Sequence, residues 1–108
     1  MTINQLLQKL DTASPILQAT FGLERENLRV TADGHLAQTA HPSQLGSRNF
    51  HPTIQTVFSE QQLELITPIA HSTKEARRLL GAISDVAGRS IDQSERLWPL
   101  SMPPQLTE

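Results

Sequence analysis

The stretch that decides the fold runs from residue 23 to residue 30 and reads Leu23-Glu24-Arg25-Glu26-Asn27-Leu28-Arg29-Val30. Its alternation is typical of a β-strand, in which successive side chains point to opposite faces. One face carries both glutamates together with Leu28 and Val30, and the other carries Arg25, Asn27 and Arg29. Because two apolar residues accompany the glutamates, we expect the glutamate face to be the covered one.

The segments around this strand predict an α+β fold with an antiparallel sheet flanked by helices. Asp33-Gly34 is a hairpin signal in which both residues would need positive φ, and residues 35–37 would form the return strand. Further strands are expected at residues 54–58 and 62–67, after a long polar loop at residues 38–53. Helical spacing predicts helices at residues 2–11, in a short turn from Pro15 to Phe21, and at residues 73–90. Ser72 and Glu75 have the spacing of a capping box for the last of these.

Composition excludes several functional classes. The 108 residues contain 9 Lys and Arg against 11 Asp and Glu, a net charge of -2, which lacks the basic excess of a dedicated nucleic-acid binder. With 0 cysteines there is no zinc-thiolate site, disulfide or cysteine nucleophile. No apolar run approaches the ~20 residues of a membrane span, and no signal peptide is evident. We therefore expect a soluble, cytoplasmic protein with no nucleic-acid or membrane partner.

Three glutamates on predicted strands are the main candidate functional residues. Glu24 and Glu26 share a face of the first strand, and Glu64 lies between Leu63 and Leu65 on a later one. Neighbouring carboxylates repel, so they require protonation, arginine partners or a shared divalent cation. Hard cations such as magnesium prefer carboxylate oxygens. The pattern leaves open whether a cation or an arginine balances these acids, the candidate arginines being Arg25, Arg29 and Arg77.

The other candidates have simpler interpretations. All four histidines fall in predicted loops or turns without metal-ligand spacing, and we expect solvated side chains for His35, His41, His51 and His71. Trp98 is expected to anchor the core, because aromatic residues are scarce in this chain. No catalytic nucleophile, general acid or general base is predicted.

Several short motifs follow one another along the chain. The first is Gly22 to Val30, followed by Ala32-Asp33-Gly34. The later ones are His41-Pro42, Leu45-Gly46, His51-Pro52, the run Phe58-Ser59-Glu60-Gln61-Gln62-Leu63-Glu64-Leu65-Ile66-Thr67-Pro68, and the run Leu97-Trp98-Pro99-Leu100-Ser101-Met102-Pro103. In this order the motifs resemble the bacterial glutamate–cysteine ligases, most of all the ligase module of bifunctional glutathione synthases, and the resemblance extends over residues 20–104.

The resemblance implies a fold and a function. The fold would be the N-terminal part of a glutamine-synthetase-like catalytic domain, with a curved antiparallel sheet. The family forms γ-glutamylcysteine from glutamate and cysteine with ATP as co-substrate and Mg²⁺ or Mn²⁺ as cofactor, the first step of glutathione biosynthesis. Glu24, Glu26 and Glu64 match family metal ligands, whereas nucleotide contacts cannot be assigned within this chain. Residues 98–103 match a motif that would line or brace the site.

Two departures from the family pattern qualify this expectation. Val57 stands where the family has an aspartate that binds metal, and valine cannot coordinate a cation. The family's proteins are also several times longer, so residues 1–108 are expected to form a single incomplete domain that is inactive by itself and pairs with the rest of the ligase in trans. The alternative is a non-catalytic remnant that docks on a larger ligase subunit.

Overall fold

The computed structural model describes residues 1–10, 18–56 and 58–106. These ranges contain two α-helices, a 3₁₀ turn and four strands that form one sheet. In chain order the elements are α1 (Ile3–Gln8), β1 (Glu24–Thr31), the 3₁₀ turn (Ser43–Leu45), β2 (Ile54–Gln55), β3 (Gln62–Ile66), α2 (Thr73–Ser90) and β4 (Glu95–Leu97). The α+β architecture expected from the sequence is confirmed.

The sheet has the strand order β2-β3-β1-β4, and each neighbouring pair is antiparallel. β1 lies in the interior and pairs with β3 through its first half and with β4 through its last three residues. In the β1–β3 ladder Glu26 lies opposite Glu64, and Asn27 lies opposite Leu63. This register fixes which side chains share a face.

Helix α2 covers the face of the sheet that carries Leu63 and Leu65, both of which are 0% exposed. On β1 the same face carries Asn27 and Arg29, which are buried, while Glu24 and Glu26 on the opposite face are exposed. The expectation that the glutamate face would be covered is therefore wrong. The two buried leucines of β3 decide which face is covered, and Asn27 and Arg29 of β1 are buried on that same face.

The turn at Asp33-Gly34 forms, but its geometry differs from the prediction. Gly34 has φ +88, whereas Asp33 does not have a positive φ. The Gly34 N–H donates to the Thr31 carbonyl at 3.0 Å, and the Thr31 N–H donates to the His35 carbonyl at 2.8 Å. This is a three-residue hairpin loop that ends on a left-handed glycine, which needs only one residue with positive φ.

Helix α2 begins and ends at the predicted residues. The Ser72 hydroxyl accepts from the Glu75 N–H, while the Glu75 carboxylate accepts from the His71 N–H one residue earlier than a capping box requires. Within the described residues, no helix is both long enough and apolar enough to cross a membrane.

The remaining elements agree with the predictions in part. α1 is shorter than the predicted helix, and none of its residues is buried. β2 has 2 residues rather than the expected five, and the sequence pattern did not predict β4. The first three residues of the short helical turn predicted from Pro15 to Phe21 lie outside the described residues.

A buried ion pair links β1 to β4. The Arg29 guanidinium donates to the Glu95 carboxylate at 2.8 Å, and the two side chains are 1% and 2% exposed. Arg29 also donates to the backbone carbonyls of Thr39, Ala40 and Glu60. One side chain therefore joins β1, β4, the long loop and the turn before β3.

We expect Glu95→Gln to lower the free energy of unfolding by about 3–5 kcal/mol, because it leaves the buried Arg29 charge without a counter-charge. Chemical denaturation measures this difference. The matched control is Glu60→Gln, which removes an exposed carboxylate 4.0 Å from Arg48 and should change the free energy by about 1 kcal/mol or less. Equal effects of the two variants would contradict the assignment of Arg29–Glu95 as a central constraint.

Candidate functional site

The three predicted glutamates lie on the same face of the sheet. Glu26 and Glu64 are directly opposite each other in the β1–β3 ladder, and Glu24 lies two residues along β1. Directly opposed Cβ atoms in such a ladder are about 4.5–5.5 Å apart, and diagonal neighbours about 7–8 Å. Glu24 and Glu26 are exposed and Glu64 is half-buried. The fold thus brings together the three residues that the sequence singled out.

Within the described ranges, none of these glutamates forms an ion pair. Arg29 pairs with Glu95 on the opposite face of the sheet, so it does not balance them. Arg25 shares the face of Arg29, and Arg77 is exposed on α2. The arginine alternative therefore finds no support, and the face carries uncompensated negative charge.

One hydrogen bond orders this acidic face. The Gln62 side-chain amide donates to the Glu26 carboxylate at 2.9 Å. Gln55 lies opposite Glu64 in the β2–β3 ladder, but its amide donates to the His51 carbonyl instead. The Glu26 carboxylate is thus the only one of the three glutamates with a side-chain partner among the described residues.

A groove of about 310 Å³ opens beside Glu26. Its other walls come from β1, from Gln62 and from the segment after β4, which includes Trp98 and Met102. The Trp98 indole N–H donates to the Met102 carbonyl at 2.6 Å, and the Trp98 carbonyl accepts from the Asn27 amide at 3.1 Å. Trp98 therefore holds this segment beside the carboxylates and is only half-buried, rather than anchoring the core.

The three glutamates meet some of the requirements of a site for a hard divalent cation. In the described portion of the chain, no three His, Asp or Glu side chains converge closely enough to hold a metal ion by themselves. Magnesium, however, usually takes one or two carboxylates and completes its shell with waters and substrate phosphates. Opposed carboxylates on an open face, such as Glu26 and Glu64, meet that requirement. Val57, the position of the missing family aspartate, lies outside the described residues.

His41 departs from the expected solvated state. It is half-buried, its Nδ1 is hydrogen-bonded to the Thr56 hydroxyl, and its Nε2 is buried without a partner among the described residues. Burial, reinforced by the positive charges of Arg29 and Arg48, lowers the pKa of His41. His51 also departs, since its Nδ1 accepts from the Ile54 N–H at 3.0 Å. His71 is exposed, as expected.

The sequence pattern missed the Arg29, Thr39 and Glu95 cluster. Thr39 donates its hydroxyl proton to Glu95 and accepts from Arg29, so all three side chains are mutually hydrogen-bonded. The apolar pair Leu63 and Leu65 is the sequence feature that could have predicted this cluster. Placing those leucines against β1 in antiparallel register buries the Arg29 face rather than the glutamate face.

The structure is thus an α+β domain whose antiparallel sheet carries Glu24, Glu26 and Glu64 on one face. The chain belongs to the glutamate–cysteine ligase family, whose model matches residues 4–108. It is 70% identical over 106 residues to the glutathione biosynthesis bifunctional protein GshAB of Streptococcus thermophilus. It is 67% identical over 109 residues to the protein of that name from Streptococcus mutans. The alignments cover 98% and 100% of this chain, and the chain spans 14% of the length of each relative.

Solved structures give the same family assignment. The bifunctional glutathione synthetase of Pasteurella multocida matches with a TM-score of 0.80 and 48% identity, over 84% of this chain and 12% of that one. The glutamate–cysteine ligase of Francisella tularensis, solved in complex with AMP, matches with a TM-score of 0.78 and 36% identity, over 82% of this chain and 18% of that one. The four-stranded sheet described above is therefore part of a glutamate–cysteine ligase fold.

The lowered pKa of His41 predicts a pH-dependent stability. The unfolded chain binds a proton at His41 near pH 6.5, while the folded chain resists protonation until lower pH. The contribution of His41 is therefore fully present above about pH 6.5 and is lost as the pH falls below it. Chemical denaturation at pH 7 and pH 5 should show a smaller decrease in stability for His41→Gln than for the unaltered chain. An identical decrease in both would contradict the assignment.

Proposed function

We propose that this chain supplies the acidic, cation-binding face of a glutamate–cysteine ligase active site. The observation that carries the proposal is the register of β1 and β3, which sets Glu26 directly opposite Glu64 with Glu24 on the same open face. No arginine of the described residues neutralises these carboxylates. Such charge on an exposed face favours a divalent cation as the missing counter-charge.

In the proposed reaction, ATP phosphorylates the γ-carboxylate of glutamate, and the cysteine amine displaces the phosphate to give γ-glutamylcysteine. Mg²⁺ or Mn²⁺ bound at this face would neutralise the phosphate charge during transfer. Glu24, Glu26 and Glu64 would hold the cation through carboxylate oxygens. Trp98 holds residues 98–103 as one wall of the groove beside Glu26.

The chain spans 14% of the length of its Streptococcus thermophilus relative. We propose that γ-glutamylcysteine formation needs residues that the relatives carry elsewhere, and that the chain acts together with them. The family context supports this proposal, since the matched structures are much longer than the matched segment.

A non-catalytic docking role is the second candidate. It is favoured by large apolar side chains left open to solvent, which a partner surface would cover. The most exposed among the described residues are Met1 at 79%, Phe50 at 84% and Phe58 at 88%. On this alternative the chain binds a larger ligase subunit, and its glutamates have no part in turnover.

We expect the chain to bind Mn²⁺ or Mg²⁺ weakly, and Glu26→Gln to reduce that affinity by about tenfold or more, since even outer-shell partners contribute 10–100-fold. Titration calorimetry of the full chain measures the change. Glu60→Gln is the matched control, because Glu60 is an exposed glutamate whose carboxylate lies within 4.0 Å of Arg48 rather than on the β1–β3 face. Unchanged affinity in Glu26→Gln would overturn the metal assignment.

A reconstitution assay separates the two functional candidates. We expect no γ-glutamylcysteine from the chain with ATP, glutamate and cysteine, but measurable formation when it is mixed with the Streptococcus thermophilus relative lacking its matched segment. Val57→Asp should raise that activity by restoring a carboxylate, and Glu26→Gln should remove it. Turnover by the chain alone contradicts the requirement for further residues. No activity in the mixture, with Val57→Asp included, supports the docking role.

A further inference from the structure

We propose that Gln62 is a positioning residue for the cation site, and that its amide orients the Glu26 carboxylate without neutralising it. The inference rests on the proposed function, because it concerns how one of the proposed ligands is presented. Gln62 would not itself coordinate the cation.

The Gln62 side chain forms a hydrogen bond of normal length with the Glu26 carboxylate. The Gln62 Nε2 lies 2.9 Å from the Glu26 Oε2, within the normal range for an N–H···O hydrogen bond. Gln62 is the diagonal neighbour of Glu26 in the β1–β3 ladder, so the two side chains lie on the same face. One carboxylate oxygen is thereby held, and Oε1 has no partner among the described residues. An exposed glutamate would otherwise sample several rotamers, and binding a cation would then require it to be ordered.

The neutral amide is chemically suited to this role. A lysine or arginine at residue 62 would pair with Glu26 and compete with a cation for the same carboxylate. A glutamate there would add repulsion between neighbouring carboxylates. An amide donates one hydrogen bond and leaves the negative charge available. Hydrogen bonds of this kind, made to ligating carboxylates, set the orientation of the ligand in metal sites.

Three hydrogen bonds hold the turn that leads into Gln62. The Arg29 N–H donates to the Gln61 carbonyl at 2.7 Å, and the Arg29 guanidinium donates to the Glu60 carbonyl at 2.5 Å. The Gln62 N–H donates to the Ser59 carbonyl at 3.1 Å. Three hydrogen bonds therefore fix the turn from which the Gln62 side chain projects, so its amide reaches Glu26 from a defined position.

The chain contains a matched control on the same face. Gln55 lies opposite Glu64 in the β2–β3 ladder, as a half-buried glutamine beside a proposed ligand. Its amide donates to the His51 carbonyl at 3.1 Å and not to a carboxylate. Replacing either glutamine with methionine keeps side-chain length and removes the amide. Only the change at residue 62 removes a hydrogen bond from a proposed ligand.

The test is a Mn²⁺ titration of the full 108-residue chain, followed by electron paramagnetic resonance of the free ion. We expect Gln62→Met to weaken Mn²⁺ binding by about tenfold and Gln55→Met to leave it within about twofold, in line with outer-shell effects in other metal sites. A metal-free readout accompanies it. In the ¹H–¹⁵N spectrum, the Gln62 side-chain amide should shift in Glu26→Gln and not in Glu64→Gln.

The outcomes separate the inference from the proposed function. If the chain binds Mn²⁺, Glu26→Gln abolishes binding and Gln62→Met binds normally, the inference is overturned and the proposed function stands. If Gln62→Met and Gln55→Met weaken binding equally, the effect belongs to the strands in general, and the inference is again overturned. If neither the unaltered chain nor any variant binds Mn²⁺, both the inference and the proposed function are overturned. Selective weakening in Gln62→Met supports the inference.

Discussion

The buried ion pair between Arg29 and Glu95 is the constraint on which the rest of the structure depends. A charged pair that is 1–2% exposed needs hydrogen bonds to its remaining polar groups, and the two terminal nitrogens of Arg29 make them to three backbone carbonyls and the Thr39 hydroxyl. The Arg29 Nε is buried without a partner among the described residues. The three carbonyls belong to the long loop and to the turn before β3. A single side chain therefore determines how β4, the loop and β3 are arranged around β1.

The two faces of β1 carry groups of different kinds. The inner face holds the buried side chains of Arg29 and Asn27, whose hydrogen bonds join separate segments. The outer face presents Glu24 and Glu26 beside Glu64, free of arginine partners in the described part of the chain. The matched structures of the family contain this segment within a much longer protein.

Much of the local structure could be predicted from the sequence. The apolar spacing of α2 gave both ends of the helix, because its caps and its periodicity agree. The alternation of β1 and β3 gave two strands and put Glu24 and Glu26 on one face of β1, whereas only the β1–β3 register places Glu64 on that same face. The conformation of Asp33 was predicted wrongly, because Asp-Gly is compatible with hairpin loops of two or three residues and strand pairing selects between them.

The sequence alone determined helix α2, strands β1 and β3, the family and the candidate ligands, since these follow from local spacing and from ordered motifs. Only the tertiary structure decided which face is buried. Both faces of β1 carry charge, so its own pattern cannot assign them, and the choice depends on Leu63 and Leu65 packing under α2. The same packing placed Arg29 against Glu95, residues 66 positions apart, and brought Gln62 within hydrogen-bond distance of Glu26. Long-range pairing of this kind is set by register and burial, which no local segment contains.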